Sequence, residues 1–125
     1  MAYEVTGSFE IPGFVLGVLL AGDDLSAKQY RFVVGTAGDG VGVASAAGKA
    51  LGVLRNAPAE GQVCEIVVNG VAEVICDDTV TEFGVVEVGT NGGADDIGAG
   101  KGVGMALKAG VVGDIIPVLL KDYGT

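Results

Sequence analysis

Pairs of adjacent acids are the first residues in this chain whose types could do chemistry. Asp-Asp pairs stand at residues 23–24, 77–78 and 95–96, and carboxylate oxygens can bind hard cations such as calcium. Adjacent acids on a strand point in opposite directions, however, and no acid-x-acid-x-acid loop closes around a glycine and a distal glutamate. We therefore interpret the pairs as solvated turn acids and expect no bound metal.

Two glycine–lysine steps, Gly48-Lys49 and Gly100-Lys101, resemble part of a phosphate-binding loop, whose backbone amides cradle anions. That loop requires a glycine where Asp95 stands and a serine or threonine where Gly102 stands. The acidic neighbours would also repel a triphosphate. The sequence therefore predicts no nucleotide and no other cofactor.

Catalytic groups are equally hard to find. The chain has no histidine for base chemistry near neutral pH, and no serine or cysteine stands in a nucleophile elbow. No pair of acids is singled out by its spacing for general acid and base work. We therefore expect a protein that is not an enzyme and has no catalytic residues.

The charge of the chain restricts its partners. A formal net charge of -9 predicts no binding to nucleic acid or to an anionic membrane, because both would be repelled before contact. The first five residues lack the features of a secretory signal, and the longest apolar stretch, residues 14–22, is too short to span a bilayer. A soluble product, used where it is made, is expected.

Cys64 and Cys76 could suggest a disulfide, but two cysteines without an export signal give little support for one. We expect two free, partly buried thiols on different faces of a sheet, where they act as small hydrophobic side chains.

Glycine and short apolar runs together predict the fold class. The chain has 125 residues, of which 23 are glycine and half are apolar, and valine and isoleucine recur between the glycines. A collagen-like three-residue period is absent, and the apolar runs exclude a disordered linker. The composition favours a small, glycine-rich all-β barrel or sandwich with many tight turns.

A loose internal duplication organises these elements. Residues 24–68 recur as residues 78–120, with glycines and turn residues in register. The offset is 52 in the second part of each copy, so that Gly52 lies over Gly104, and 54 in the first part, where Asp23-Asp24 meets Asp77-Asp78. What repeats is strand and turn pattern, which favours a role in building a shape.

Turn residues divide the chain into strands. Residues 63–68 and 71–76, joined by Asn69-Gly70, give the strongest hairpin signal. Both faces of this predicted hairpin are largely apolar, so the second face should meet another layer or another subunit. Residues 1–20 are predicted to be an N-terminal arm or first strand, and residues 21–125 a single β-barrel domain. Further strands are expected at residues 15–20, 30–34, 41–44, 50–54, 85–88, 103–107 and 115–120.

Several of these segments resemble the small capsid cement, or head decoration, proteins of tailed bacteriophages. The similar stretches are residues 24–33, 51–61, 64–72, 103–107 and 114–120, with their order and spacing kept. The resemblance implies a small β-barrel in the virion, on the outer surface of the mature head. It also implies a homotrimer that clamps neighbouring major capsid subunits together against internal DNA pressure.

The N-terminal twenty residues match that family less well. In such proteins this end can be an arm that orders on the capsid or on a neighbouring subunit, so the residues expected in those contacts are Tyr3, Phe9, Ile11, Phe14 and Val15. An ordinary first strand would account for the same residues. Two other functions stay open: another virion accessory protein of the tail or baseplate, and a monomeric cellular β-barrel binding module.

Overall fold

The computed structural model describes residues 10–124, and apart from one short 3-10 turn every element in that span is a strand. The predicted all-β class is confirmed. No helix in this part of the chain is long and apolar enough to cross a membrane. The elements are β1 Ile11–Leu16, β2 Leu20–Ala21, β3 Phe32–Thr36, the 3-10 turn Ala37–Asp39, β4 Gly40–Val43, β5 Gly52–Leu54, β6 Ile66–Ile75, β7 Val85–Val88, β8 Ala94–Asp96, β9 Gly102–Ala106 and β10 Ile115–Gly124.

One mixed sheet joins all ten described strands. Its order is β2-β4-β3-β5-β6-β10-β9-β7-β8, and β1 pairs with β6 outside that path. The β2–β4 pair is parallel, whereas the other strand pairs are antiparallel. The order ends at β2 and β8, so the sheet is not closed. The structure is thus consistent with the expected small barrel or sandwich, in an open form.

The strand order shows the internal duplication directly. Outward from the central β6–β10 pair, the order is β5-β3-β4 on one side and β9-β7-β8 on the other. We call residues 20–68 the first repeat and residues 75–120 the second repeat. Each repeat thus places the same three strands, in the same order, beside the strand that ends it.

The register of the strands repeats as well. Val33 opposite Gly52 in the first repeat recurs as Val86 opposite Gly104 in the second. Further equivalent partners are Val33–Val43 with Val86–Asp96, Val53–Val67 with Met105–Leu119, Leu20–Val63 with Ile75–Ile115, and the parallel contacts Ala21–Val41 with Cys76–Ala94. The predicted offset of 52 is confirmed for β5 with β9, because Gly52 is equivalent to Gly104.

The predicted offset of 54 in the first part of each repeat is wrong by one residue. The register makes Val33 equivalent to Val86, an offset of 53. Before the first turn the offset is 55. The evidence is a pair of equivalent hydrogen bonds, both of 2.8 Å: the Asp24 amide donates to Asp23 Oδ1, and the Thr79 amide donates to Asp78 Oδ1. Asp23 therefore corresponds to Asp78. Two adjacent acids in each copy had suggested the wrong alignment.

The predicted hairpin at Asn69-Gly70 is also wrong. Residues 66–75 form the single strand β6, whose first two residues pair with β5 and whose last six pair with β10. Gly70 has a φ of 87°, so its freedom lets the strand change partner instead of reversing direction. Because β1, β5 and β10 supply the pairing that a hairpin would have made with itself, tertiary contacts override the local turn signal.

Two buried clusters form the core of the described residues. The smaller belongs to the first repeat: Ala21, Leu25, Val33, Val41, Leu54, Cys64 and Ile66. The larger contains the seven equivalent residues of the second repeat: Cys76, Val80, Val86, Ala94, Ala106, Ile116 and Val118. It also contains first-repeat residues that point the other way, among them Phe32, Ala44, Val53 and Val67. The first repeat is therefore buried on both faces.

Gly52 and Gly104 keep their place in the duplication because the strands approach closely there. A Cβ atom on Gly52 would overlap the carbonyl oxygen of Val67, and one on Gly104 would lie 2.8 Å from the carbonyl oxygen of Leu119. Val67 and Leu119 are equivalent residues. The same close approach of two strands thus excludes a side chain at both positions.

Cys64 and Cys76 are free, as predicted, and they are buried in different core clusters. Their placement on different faces of a sheet stays a prediction. Burial raises the pKa of the Cys64 thiol, and burial together with Asp114 and Asp77 raises the pKa of Cys76 to about 11. Since the thiolate is the reactive form, both shifts lower the reactivity of these thiols at pH 8.

A thiol reagent such as dithionitrobenzoate should therefore react very slowly with the folded protein at pH 8. In guanidinium, two thiols per chain should react at once, because unfolding exposes them and restores their ordinary pKa. One thiol per chain reacting at the rate of free cysteine in the folded protein would contradict the buried placement.

Candidate interaction surface

An apolar row crosses the outer face of the second repeat. Leu119 of β10 lies opposite Val71 of β6 and opposite Met105 of β9. Met105 lies opposite Val85 of β7, and the amide of Ile97 donates to the Val85 carbonyl at 3.0 Å. Residues directly opposite on antiparallel strands share a face of the sheet. We call these five residues the apolar row.

The apolar row is open to solvent, whereas its counterpart in the first repeat is not. Ile97 is 41% exposed and Leu119 is 36% exposed, and the other three members are half-buried. The first-repeat equivalents of Val85, Ile97, Met105 and Leu119 are fully buried: Phe32 (1%), Ala44 (3%), Val53 (0%) and Val67 (0%). The same face of the same strand arrangement is therefore core in one repeat and surface in the other.

The second repeat itself covers the first. The amide of Phe32 donates to the Gly92 carbonyl at 2.7 Å, and the amide of Ala47 donates to the Val88 carbonyl at 2.7 Å. Residues 88–93, the end of β7 and the turn to β8, thus contact the first repeat, and Val88 belongs to the same buried cluster as Phe32 and Ala44 of its outer face. A further bond joins the Ile75 amide to the Tyr30 carbonyl at 2.9 Å.

Phe83 adds an exposed aromatic ring beside the apolar row. It precedes β7, is 63% exposed and has a φ of 60°, a region in which bulky residues are strained. Its first-repeat equivalent, Tyr30, has a φ of 70° and its amide donates to Leu54 as that of Phe83 donates to Ala106. The backbone shape is inherited from the duplication. Backbone strain and exposure of the phenyl ring both raise the free energy of the folded chain, and a binding partner that buried the ring would offset the second of these costs.

The five residues predicted to contact the capsid or another subunit have different surroundings. Tyr3 and Phe9 lie outside the described residues. The backbone of Ile11 pairs with Val71, so β1 runs beside the apolar row. Phe14 is 54% exposed, and Val15 is half-buried against the larger core cluster. Phe14 is thus accessible to a partner, whereas Val15 packs within the chain; their contact role stays a prediction.

Arg55 forms two ion pairs, and one of them joins residue 10 to the first repeat. Arg55 lies 3.0 Å from Glu10, just before β1, and 3.0 Å from Glu65. Glu65, and more weakly Glu10, raise the pKa of the Arg55 guanidinium. Burial, with repulsion from Glu10, raises the pKa of Glu73, which lies on β6 between the outward positions Val71 and Ile75. Glu10 and Glu73 therefore lie near each other, close to where β1 pairs with β6.

The acidic pairs cap turns. Asp77 Oδ2 accepts the amides of Asn91 at 2.7 Å and Gly93 at 2.9 Å, and Asp96 Oδ1 accepts the amide of Thr81 at 2.8 Å. Burial raises the pKa of Asp95, with Asp78, Glu87 and Asp96 adding repulsion. Within residues 10–124 no group of three or more His, Cys, Asp or Glu side chains could hold a metal ion.

A shallow cleft lies between the repeats. It has a volume of about 300 Å³ and is lined by equivalent residues of both repeats, Leu51 with Val103 and Val68 with Leu120, beside Lys101 and Asp122. Lys101 and Asp122 pair with each other at 2.9 Å, which lowers the pKa of Asp122. Asn69 and Lys121 also line the cleft, so its walls are partly apolar and partly polar.

Sequence reasoning missed the apolar row. Val85, Met105 and Leu119 have the same residue types as ordinary core positions, and their equivalents in the first repeat are indeed core. One signal did point towards the surface: both faces of residues 71–76 were too apolar for a sheet covered on one side. That observation anticipated a second contact without locating it.

The fold has a known counterpart among phage proteins. No family model and no curated protein matches the sequence. Among solved structures, the chain is similar to the N base of head fiber gp8.5 in bacteriophage phi29, with a TM-score of 0.73 and 14% sequence identity. The match covers 86% of this chain and 95% of that one. At this identity, the similarity establishes a shared fold.

Proposed function

We propose that this chain is a structural protein of the phage virion. It binds the outer surface of the mature head as a homotrimer and clamps neighbouring major capsid subunits against internal DNA pressure. The observation that carries the proposal is the similarity of nearly the whole chain to the base of a head fiber. A fold alone does not fix a function. The sequence resemblance to head decoration proteins supports the same setting independently.

The surface of the described residues suits such a role. Soluble monomers rarely expose contiguous apolar patches without a partner, and this chain exposes both Phe14 and the apolar row. The formal net charge of -9 would keep the free protein soluble before it docks. These features favour a binding protein that works through its surface.

The mechanism needs no covalent chemistry. Once one subunit of a trimer docks, the other two bind at a high effective concentration, so weak contacts per subunit suffice. A protein that binds only the assembled, expanded lattice stabilises that lattice by mass action. Clamping is therefore a consequence of selective, multivalent binding.

The direct test is co-sedimentation with purified heads of the encoding phage, prepared without this protein. We expect saturable binding to expanded heads, and decorated heads should withstand heat or chelator better than bare heads. Absence of binding to expanded heads would overturn the proposal. Binding to tails instead would favour an accessory role in the tail or baseplate.

The N-terminal contact can be tested at Phe14. Phe14→Asp should weaken binding to expanded heads by at least about tenfold, because loss of an apolar anchor and burial of a charge both oppose docking. The control is Val18→Asp, since Val18 is 75% exposed between β1 and β2. Unfolding curves would verify that both variants fold. Equal affinity of both variants and the unchanged protein would remove Phe14 from the contact.

A further inference from the structure

The two repeats offer complementary surfaces, and only one pair of these surfaces is joined within the chain. Residues 88–93 of the second repeat cover the outer face of the first, through the contacts of Phe32 with Gly92 and of Ala47 with Val88. The corresponding face of the second repeat, the apolar row, stays exposed. The apolar row is therefore a surface on which a segment equivalent to residues 88–93 could lie, and no such segment covers it within residues 10–124.

The matching covering segment is also open. With the offset of 53 that relates β3 and β4 to β7 and β8, residues 88–92 correspond to residues 35–39, which end β3 and form the 3-10 turn. Residues 35–38 are exposed, and a Cβ atom on Gly35 would meet nothing within 4 Å. Gly35, Thr36, Ala37 and Gly38 carry no charge and suit an apolar surface, whereas Asp39 at the end of the segment is acidic.

We propose that a second copy of this chain covers the apolar row, and that it does so with residues 35–39. The contact is head to tail: the first repeat of one copy lies on the second repeat of the next, as the second repeat lies on the first within each chain. This deepens the proposed trimer, and rests on that proposal for the number of copies.

The internal contacts indicate which groups meet between copies. Within the chain, Phe32 donates its amide to Gly92, and Ile75 donates its amide to Tyr30. The equivalent groups between copies are the Val85 amide and the Asp39 carbonyl. The Leu20 amide, equivalent to that of Ile75, is used within the chain, where Leu20 of β2 pairs with Gly40 of β4. Phe83 is 63% exposed, and docking would bury its ring.

Head-to-tail contacts use two different patches on each copy, so they close into a ring or continue as a filament. A ring of three chains would contain six repeats, each covered by the next. Every apolar row would then be buried, which explains why such a surface persists on a chain with a high net charge.

Cross-linking distinguishes this arrangement from others. Gly35→Cys and Ile97→Cys, purified separately and then mixed, should form a covalent dimer with a short bis-maleimide. Neither variant alone should do so, since Cys64 and Cys76 are buried. The control replaces Ile97→Cys by Val112→Cys, which is 67% exposed in the turn before β10 and should not cross-link with Gly35→Cys. Cross-linking of Ile97→Cys with itself, or no cross-linking in the mixture, would overturn the proposal.

A mass measurement gives the second readout, and heads are not needed for it. Light scattering after size exclusion should give three chains for the unchanged protein and one for Leu119→Asp, while Val112→Asp keeps three. A monomeric unchanged protein, or a trimeric Leu119→Asp, would overturn the head-to-tail contact. If a monomeric unchanged protein still binds heads, the head-binding role stands while the trimer and its head-to-tail contact fall. A trimer that does not bind heads would leave the contact standing and overturn the head-binding role.

Discussion

Phe32→Ala should cost about 3–5 kcal/mol of folding free energy, whereas Val85→Ala at the equivalent position of the second repeat should cost less than about 1 kcal/mol. Phe32 is 1% exposed and packs in the larger core cluster, so its loss leaves a cavity. Val85 is half-buried on the apolar row, where truncation leaves no closed space. The difference follows from the unequal covering of two similar repeats.

A second pair of variants tests whether the size of the truncated side chain explains the difference in stability. Val67→Ala should destabilise the protein by about 2 kcal/mol, and Leu119→Ala by less, although leucine loses the larger side chain. Urea unfolding of all four variants would measure the differences. Repetition at several protein concentrations separates folding from association, because an effect through a subunit contact changes on dilution. Equal losses at Phe32 and Val85 would contradict the assignment of core and surface.

The sequence predicted the duplication and most of its strands because both depend on local patterns. The strand at residues 85–88 was predicted with the observed bounds, and the strand expected at residues 103–107 is β9, shifted by one residue. The offset of 52 was correct where Gly52 and Gly104 fix it. The offset of 54 failed by one residue, because Asp77-Asp78 resembles Asp23-Asp24 and residue type alone does not show which aspartate caps the turn.

Long-range pairing determined what the sequence could not show. Asn69-Gly70 has the residue types of a tight turn, yet three partner strands hold it within β6. The apolar row could not be predicted from the sequence for a similar reason. Leu119 and Val67 are equivalent aliphatic residues, and Val67 is buried only because other parts of the chain cover it. A sequence pattern gives the face on which a residue lies, but not what lies on top of it.

Asp77→Ala should cost about 3 kcal/mol, a large effect for a partly exposed acid. Its carboxylate accepts the amides of Asn91 and Gly93, and hydrogen bonds to a charged group each contribute about 1.5–3 kcal/mol. These amides belong to the segment whose Gly92 carbonyl accepts the Phe32 amide. Loss of the carboxylate should therefore loosen the cover of the first repeat as well as the turn itself.

The neighbouring acid is a matched control. Asp78 is exposed and accepts the amide of the adjacent Thr79, so Asp78→Ala should change stability by no more than about 0.5 kcal/mol. Asp77→Asn keeps the shape and one good acceptor, and should fall between the two. Asp77→Ala should also increase binding of an apolar dye such as ANS, because Phe32 and Val53 lose part of their cover. Similar stability and dye binding in the Asp77→Ala and Asp78→Ala variants would show that residues 88–93 stay in place without the carboxylate. The covering of one repeat by the other would then depend on apolar contact and on the backbone hydrogen bonds of Phe32 and Ala47, the same kinds of contact proposed to join one copy to the next.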